Sequence, residues 1–354
     1  MPSLGAAIAV VVTWIAARAR ESGPPIRPRL AQATFGGAIE EYPSWSPDGR
    51  SILYVARAGE ARKVFRKEIE TGKEEQLTRG SHDELQPAWS PDGASEPLVT
   101  TTREDSRGAW SPDGTSIAFN SDRTGEMNLW LYSLSDKSTR RLTSGSGGDF
   151  QPNWSPDGKA IAFFSSRSGS PNIWKLTLDG GNLIELTSNT AINANPFFSP
   201  DGSRIAFQSD QSGRNELWTM NADGSEARRL TNVGVTGHFM RWTASGDAIV
   251  FRCTCGGKGA TMIASVAGGD SRVLLDQKGG SHISFSPDRS RIMDVVGHKV
   301  LWVSLIDGEP QKVFEFPDPG VRIDYPVWSP DGKWVLLDRL QPGEGDIWVM
   351  SNFE

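Results

Sequence analysis

Glu41, Tyr42, Gln86, Gln151, Asn195, His238, His282, Asp324 and Tyr325 all occupy one phase of a repeat, each just ahead of a short strand-like run. His238, His282, Asp324 and Glu41 fall in four consecutive units, and amides occupy the opposite arc. Imidazoles beside carboxylates are a donor set for a divalent metal. Amides and phenols that converge with them suit a peptide or a small polar ligand. The second chemistry is the reading adopted: partner binding at these nine residues, with no metal, no cofactor and no catalytic group assigned.

Other reactive patterns are missing from the chain. It has no G-x-S-x-G elbow, Walker motif, H-E-x-x-H or dinucleotide fingerprint. The Gly-rich stretch 145–149 lies between two strands and opens no helix, so it reads as a loop and not a phosphate cradle. Arg123 and Arg167 both follow a second strand and are expected to make ion pairs or hydrogen bonds to nearby loops. Cys253 and Cys255 are too few for a disulfide scaffold or a four-ligand zinc site, and a bridge across one residue is expected to be strained.

The elements that must position the nine residues come from the repeat. A [WF]-S-P-D-G element, or a worn copy, begins at Trp45, Trp89, Trp110, Trp154, Phe198, Trp242, Phe285 and Trp328. A second marker keeps the same beat at Phe65, Trp130, Trp174, Trp218, Met262, Trp302 and Trp348. Ser-Pro-Asp-Gly fits a type I turn, with Pro fixing φ and Gly taking the last place. Around it, runs such as 160–165, 173–178 and 183–187 supply strands separated by polar Gly turns. Four strands per unit make one sheet with two faces to cover, and radial stacking of sheets covers both. The fold class is therefore all-β, a seven-bladed β-propeller of four-stranded antiparallel blades. The tryptophans fill the gaps between blades, each ring contributing at most ~5 kcal/mol on burial.

The seven units start at Trp45, Trp110, Trp154, Phe198, Trp242, Phe285 and Trp328. The last has three strands, and the segment 27–34 resembles a fourth strand. The N-terminal strand is thus expected to complete the final blade and close the ring. Residues 26–354 make up the propeller, with an irregular insertion about 90–110, too short for an eighth blade. Within this ring the nine residues surround one mouth of the central channel.

The rest of the chain limits where this object works. The formal charge is −6 without a basic run, which leaves no footprint for nucleic acid. Residues 4–17 are uncharged and apolar, so 1–25 reads as a signal peptide or a membrane anchor with its linker. The expected location is periplasmic or otherwise extracytoplasmic, as a monomer with a membrane tether through 4–17 if uncleaved.

The pattern W-S-P-D-G-x-x-I-A-F-x-S-x-R-x-G-x-x-x-I-W, followed by D-G and L-T, resembles the repeat of the TolB-type β-propeller family over residues 27–354. The resemblance implies a protein-binding platform in the bacterial envelope, with a protein or peptide as partner. Similar propellers serve as outer sensors of membrane-bound regulators and kinases, and some sugar-acid lyases are metal-dependent propellers. Both remain alternatives to the binding platform.

Overall fold

The computed structural model describes residues 28–35, 39–79, 83, 87, 89–90, 93, 105–255, 259–276, 283–305 and 308–352. Residues 1–25 and most of the 90–110 insertion lie outside the described residues. So do Gln86 and His282. No helix among the described residues is long and apolar enough to cross a membrane.

Seven four-stranded antiparallel sheets form the ring. Strands β2–β5 occupy residues 40–76, β6–β9 105–141, β10–β13 149–185, β14–β17 193–229, β18–β21 235–275 and β22–β25 283–315. The seventh sheet joins both ends of the chain in the order β1-β28-β27-β26, from Arg29–Gln32, Glu344–Ser351, Trp334–Gln341 and Arg322–Trp328. Arg29 lies opposite Ser351 and Gln32 opposite Trp348. The closing strand expected at 27–34 is therefore present, and it covers the edge that β28 would otherwise leave open.

Each S-P-D-G turn is held by its own side chains. Gly49 N–H donates to Ser46 O at 2.9 Å, the bond of a type I turn. Ser46 Oγ donates to Asp48 Oδ1 at 2.6 Å and accepts from Ser51 N at 2.9 Å, which starts the second strand. The same arrangement recurs at Ser111, Ser155, Ser199, Ser286 and Ser329. Gly49 has φ 69°, a left-handed conformation that costs glycine little. A Cβ at Gly202 would stand 3.3 Å from Pro156 of the preceding blade, so successive turns also touch each other.

The cores lie between sheets. Trp45, Ile52 and Tyr54 of the first blade pack with Leu336, Ile347 and Val349 of the seventh. Trp242 and Ile249 pack in one cluster with Ala206 and Leu217 of the blade before. Polar anchors fix the angle of approach: Trp45 Nε1 donates to Val327 O (3.1 Å), Trp154 to Ala109 O (2.9 Å) and Trp242 to Phe197 O (3.3 Å). Trp89 donates in the same way to Ser44 O at 3.0 Å. The inserted segment thus begins by docking on the first blade as a following blade would. The third-strand tryptophans are only half-buried, and guanidiniums cover several of them, Arg123 over Trp130 at 4.9 Å and Arg167 over Trp174 at 5.3 Å.

Cys253 and Cys255 are joined by a disulfide, with Cα atoms 5.4 Å apart. That separation lies within ordinary disulfide reach.

Ring closure offers a direct test. Thr34 is fully buried and its Oγ1 accepts from Ile347 N at 2.9 Å. Thr34→Val keeps the shape and removes the acceptor, leaving a buried N–H short of its partner. Urea unfolding should register a loss of ~1–3 kcal/mol; an unchanged midpoint would mean that this clasp carries no stability.

Candidate functional site

First strands are innermost in the ring, and neighbouring ones touch, as β6 with β10, β10 with β14 and β2 with β26. At the rim where they begin, the chain repeats one irregularity. Pairing with the second strand shifts register between Glu41 and Ser44, Phe150 and Asn153, Ala194 and Phe197, and Asp324 and Val327. The residue inside each bulge is left-handed: Tyr42 at φ 58°, Gln151 at 56°, Asn195 at 53° and Tyr325 at 44°. A proline follows each of the four. Having no N–H, it forfeits no ladder bond where the pairing is broken. A left-handed conformation costs a residue with a Cβ on the order of 1 kcal/mol, and the bulge re-aims its side chain out of the regular pleat.

Four of the nine sequence-derived residues therefore share one backbone geometry at one rim. The Tyr42 and Tyr325 rings meet edge to face, with centroids 4.8 Å apart, at the seam between the seventh and first blades. Asn195 Nδ2 donates to Gln208 Oε1 at 2.6 Å, and Gln208 Nε2 donates to Gly237 O at 2.6 Å, linking the fourth blade to the fifth. Gln151 Oε1 is buried at this rim with no hydrogen-bond partner among the described residues.

Carboxylates gather at the same seam. Glu41 lies 3.9 Å from Arg62, whose stronger partner is Asp83 at 3.0 Å. Asp324 Oδ1 accepts from Tyr325 N at 2.9 Å, and Asp324 N donates to Asp338 Oδ1 at 2.8 Å. Asp338 is 1% exposed. Burial first, then the charge of Asp324, pushes its carboxyl up to about 8, and Glu41 adds to the effect.

The fifth blade departs from this plan. In β18 (Val235–Trp242) the register jumps from Val235 to Met240, across Gly237 and His238. His238 lies in that strand, its side chain outside the described residues. Phe239, its neighbour, is buried against Val250 and Ile283. Among the described residues no three His, Cys, Asp or Glu side chains are grouped to hold a metal ion.

Sequence reasoning missed the supports beneath the rim. Asp149, two residues before Gln151, is 1% exposed and accepts twice from Arg167 Nη2 at 2.6 Å. Arg167 thus makes the kind of ion pair expected of it. In the next blade Asn193 Nδ2 donates to Asn172 Oδ1 at 3.0 Å and Asn189 Oδ1 at 2.8 Å, and Thr187 Oγ1 donates to Asn172 Oδ1 at 3.0 Å. Asp149 and Asn193 share a phase, and that spacing was a usable signal.

Comparisons agree with this architecture. Residues 96–186 match the family model of the TolB beta propeller domain, and residues 170–299 that of the Tricorn protease N-terminal beta propeller domain. An uncharacterized protein of Agrobacterium fabrum is 31% identical over 108 residues, a stretch that spans 30% of either chain. Oligogalacturonate lyase from Vibrio parahaemolyticus superposes with a TM-score of 0.62 at 16% identity, covering 93% of this chain and 97% of its own. A candidate TolB from Agrobacterium tumefaciens gives a TM-score of 0.50 at 19% identity, covering 92% and 97%. At such identities the likeness is one of fold.

The Asp338 environment makes a pH prediction. Its folded-state affinity for a proton is raised above the ordinary carboxylate value of 3.8, so the folded chain holds a proton that the unfolded chain releases. That contribution is fully present below about pH 4 and is lost as pH rises through about 8. Asp338→Asn keeps an acceptor for Asp324 N, so urea unfolding between pH 4 and 9 should show a shallower decline than wild type. Parallel profiles would refute the assignment.

Residues 96–186 thus carry a repeat that matches the TolB beta propeller domain, within a seven-bladed ring.

Proposed function

We propose that this propeller works by binding, with the rim that carries Glu41, Tyr42, Gln151, Asn195, Asp324 and Tyr325 as the contact surface for a protein or peptide. Gln86, His238 and His282 share the phase in the sequence and are included in this proposal. The observation that supports this most is the buried, unpaired Gln151 Oε1 in a strained bulge. Buried polar atoms are nearly always hydrogen-bonded, and an outward turn of the Gln151 side chain would let a backbone N–H of a peptide supply the missing donor. The paired rings of Tyr42 and Tyr325 add an aromatic anchor of the sort that dominates binding energy at interfaces.

The TolB-type repeat favours the bacterial envelope as the place of action. The apolar run 4–17 is consistent with export or a tether, so the chain acts outside the cytoplasm in this reading. The lyase-like fold supplies the competing class, a metal-dependent enzyme acting on sugar acids; its argument is resemblance of fold, whereas the rim geometry belongs to this chain.

Capture from bacterial envelope extract by the full chain tests the reading. Wild type should retain at least one partner, and Tyr42→Ala and Tyr325→Ala should each weaken that capture ~10-fold or more, with near-UV circular dichroism unchanged. Retention of every partner by both variants would remove the rim from the interface. A stoichiometric metal in the purified protein, released by His238→Ala, would favour the enzyme instead.

A further inference from the structure

A second feature lies on the outer part of the seventh blade, at the end where the S-P-D-G turns stand. Trp334 opens β27 and is 42% exposed. Among the described tryptophans it alone is exposed. The same register position in the other blades holds Ser51, Ser116, Ala160, Arg204, Ala248 and Arg291. None of these is aromatic, so the repeat itself does not require an indole there.

Strand pairing decides what surrounds it. Trp334 lies opposite Ser351, and Ser351 lies opposite Arg29. The three form one row across β27, β28 and β1, on a single face of the sheet. With strands ~4.8 Å apart, the backbones of Arg29 and Trp334 are about 10 Å from each other. The next row on that face is Leu336, Val349 and Ala31. Leu336 and Val349 pack with Trp45 and Tyr54, so the face looks toward the first blade.

Other joints fill the matching space with a cation. Arg228 and Arg272 occupy the outer-strand position that Ala31 holds in the seventh blade. Through Nη2, Arg228 donates to Val266 O and Arg272 to Leu305 O, in each case a carbonyl of the next blade. Ala31 has no such reach, and a groove of about 700 Å³ stays open. That volume is in the range of small-molecule sites. Ala31 and Val349 line it together with Trp334, Arg29, Lys333 and Ser351, and no Asp or Glu lines it. Arg29 has no hydrogen bond or ion pair among the described residues. Lys333 Nζ lies 3.5 Å from Asp331 Oδ2 on an exposed turn, a pair that water largely screens.

We propose that this groove binds a small aromatic acid, a carboxylate carried on a flat ring. The ring stacks on the indole of Trp334 over the apolar floor of Ala31 and Val349. The guanidinium of Arg29 takes the carboxylate through paired charge-assisted hydrogen bonds, and Lys333 adds a second positive charge at the edge. Indole and guanidinium stand at the two ends of one row, which matches a ligand with its ring at one end and its charge at the other. The groove lies away from the rim, and its test does not depend on a protein partner being found.

Ligand-observed NMR titration of the full chain with phenylacetate, phenylacetamide and acetate is the experiment. The amide keeps the ring without the charge, and acetate keeps the charge without the ring. Wild type should bind phenylacetate at least ~10-fold more tightly than either. Arg29→Gln should weaken phenylacetate ~10-fold and leave phenylacetamide unchanged. Trp334→Ser, which installs the residue of the first two blades, should weaken both ring compounds. Arg140→Gln, on the exposed outer strand of the second blade, should change nothing. Arg29 is exposed, so Arg29→Gln should fold even if Trp334→Ser does not. The proposal is overturned if wild type fails to prefer phenylacetate over both controls, or if Arg29→Gln binds phenylacetate as tightly as wild type.

Discussion

The rest of the structure depends on one recurring contact, the indole N–H of a first-strand tryptophan donating to a backbone carbonyl of the blade before it. A four-stranded sheet with two apolar faces has no stable existence in water by itself. Hydrophobic burial presses sheets together without fixing their angle. The bonds from Trp45 to Val327, Trp154 to Ala109 and Trp242 to Phe197 are directional, and they repeat the same pose at three joints of the ring. Where Phe198 replaces the indole, its backbone N–H donates to Asn153 Oδ1 at 2.9 Å, so the preceding blade still supplies an acceptor. Pro and Gly of successive turns approach each other beside these bonds, at the same end of the joint.

Much of this was legible from spacing alone. The S-P-D-G phase placed every first strand of the ring, because the Ser and Asp of that motif make their bonds within five residues and need no tertiary context. Closure by the N-terminal segment was legible because the last unit lacked one strand. The bulge was harder to see. Tyr42-Pro, Gln151-Pro, Asn195-Pro and Tyr325-Pro announce a break in pairing, yet a residue before proline is ordinarily extended. The left-handed turn appears only when two strands compete for register.

Under the proposed binding role, the rim illustrates how a repeat can make a contact surface without dedicating a domain to it. Four blades contribute the same left-handed bulge, and the identity of its residue varies among Tyr, Gln and Asn because the backbone does the positioning. Beneath it, buried polar pairs such as Asp149 with Arg167 satisfy the ends of the strands and stiffen them. Strain above and rigidity below are what a pre-organised contact surface requires.

The zipped pairing of β1 with β28 also has a mechanical meaning. Because Arg29 lies opposite Ser351, the two chain ends leave the pair on the same side. Tension applied between them would open the backbone bonds one after another instead of loading them together in shear. The ring is therefore well defended against thermal opening of an edge and poorly defended against a pull, so that a load borne through both ends would peel the seventh blade first.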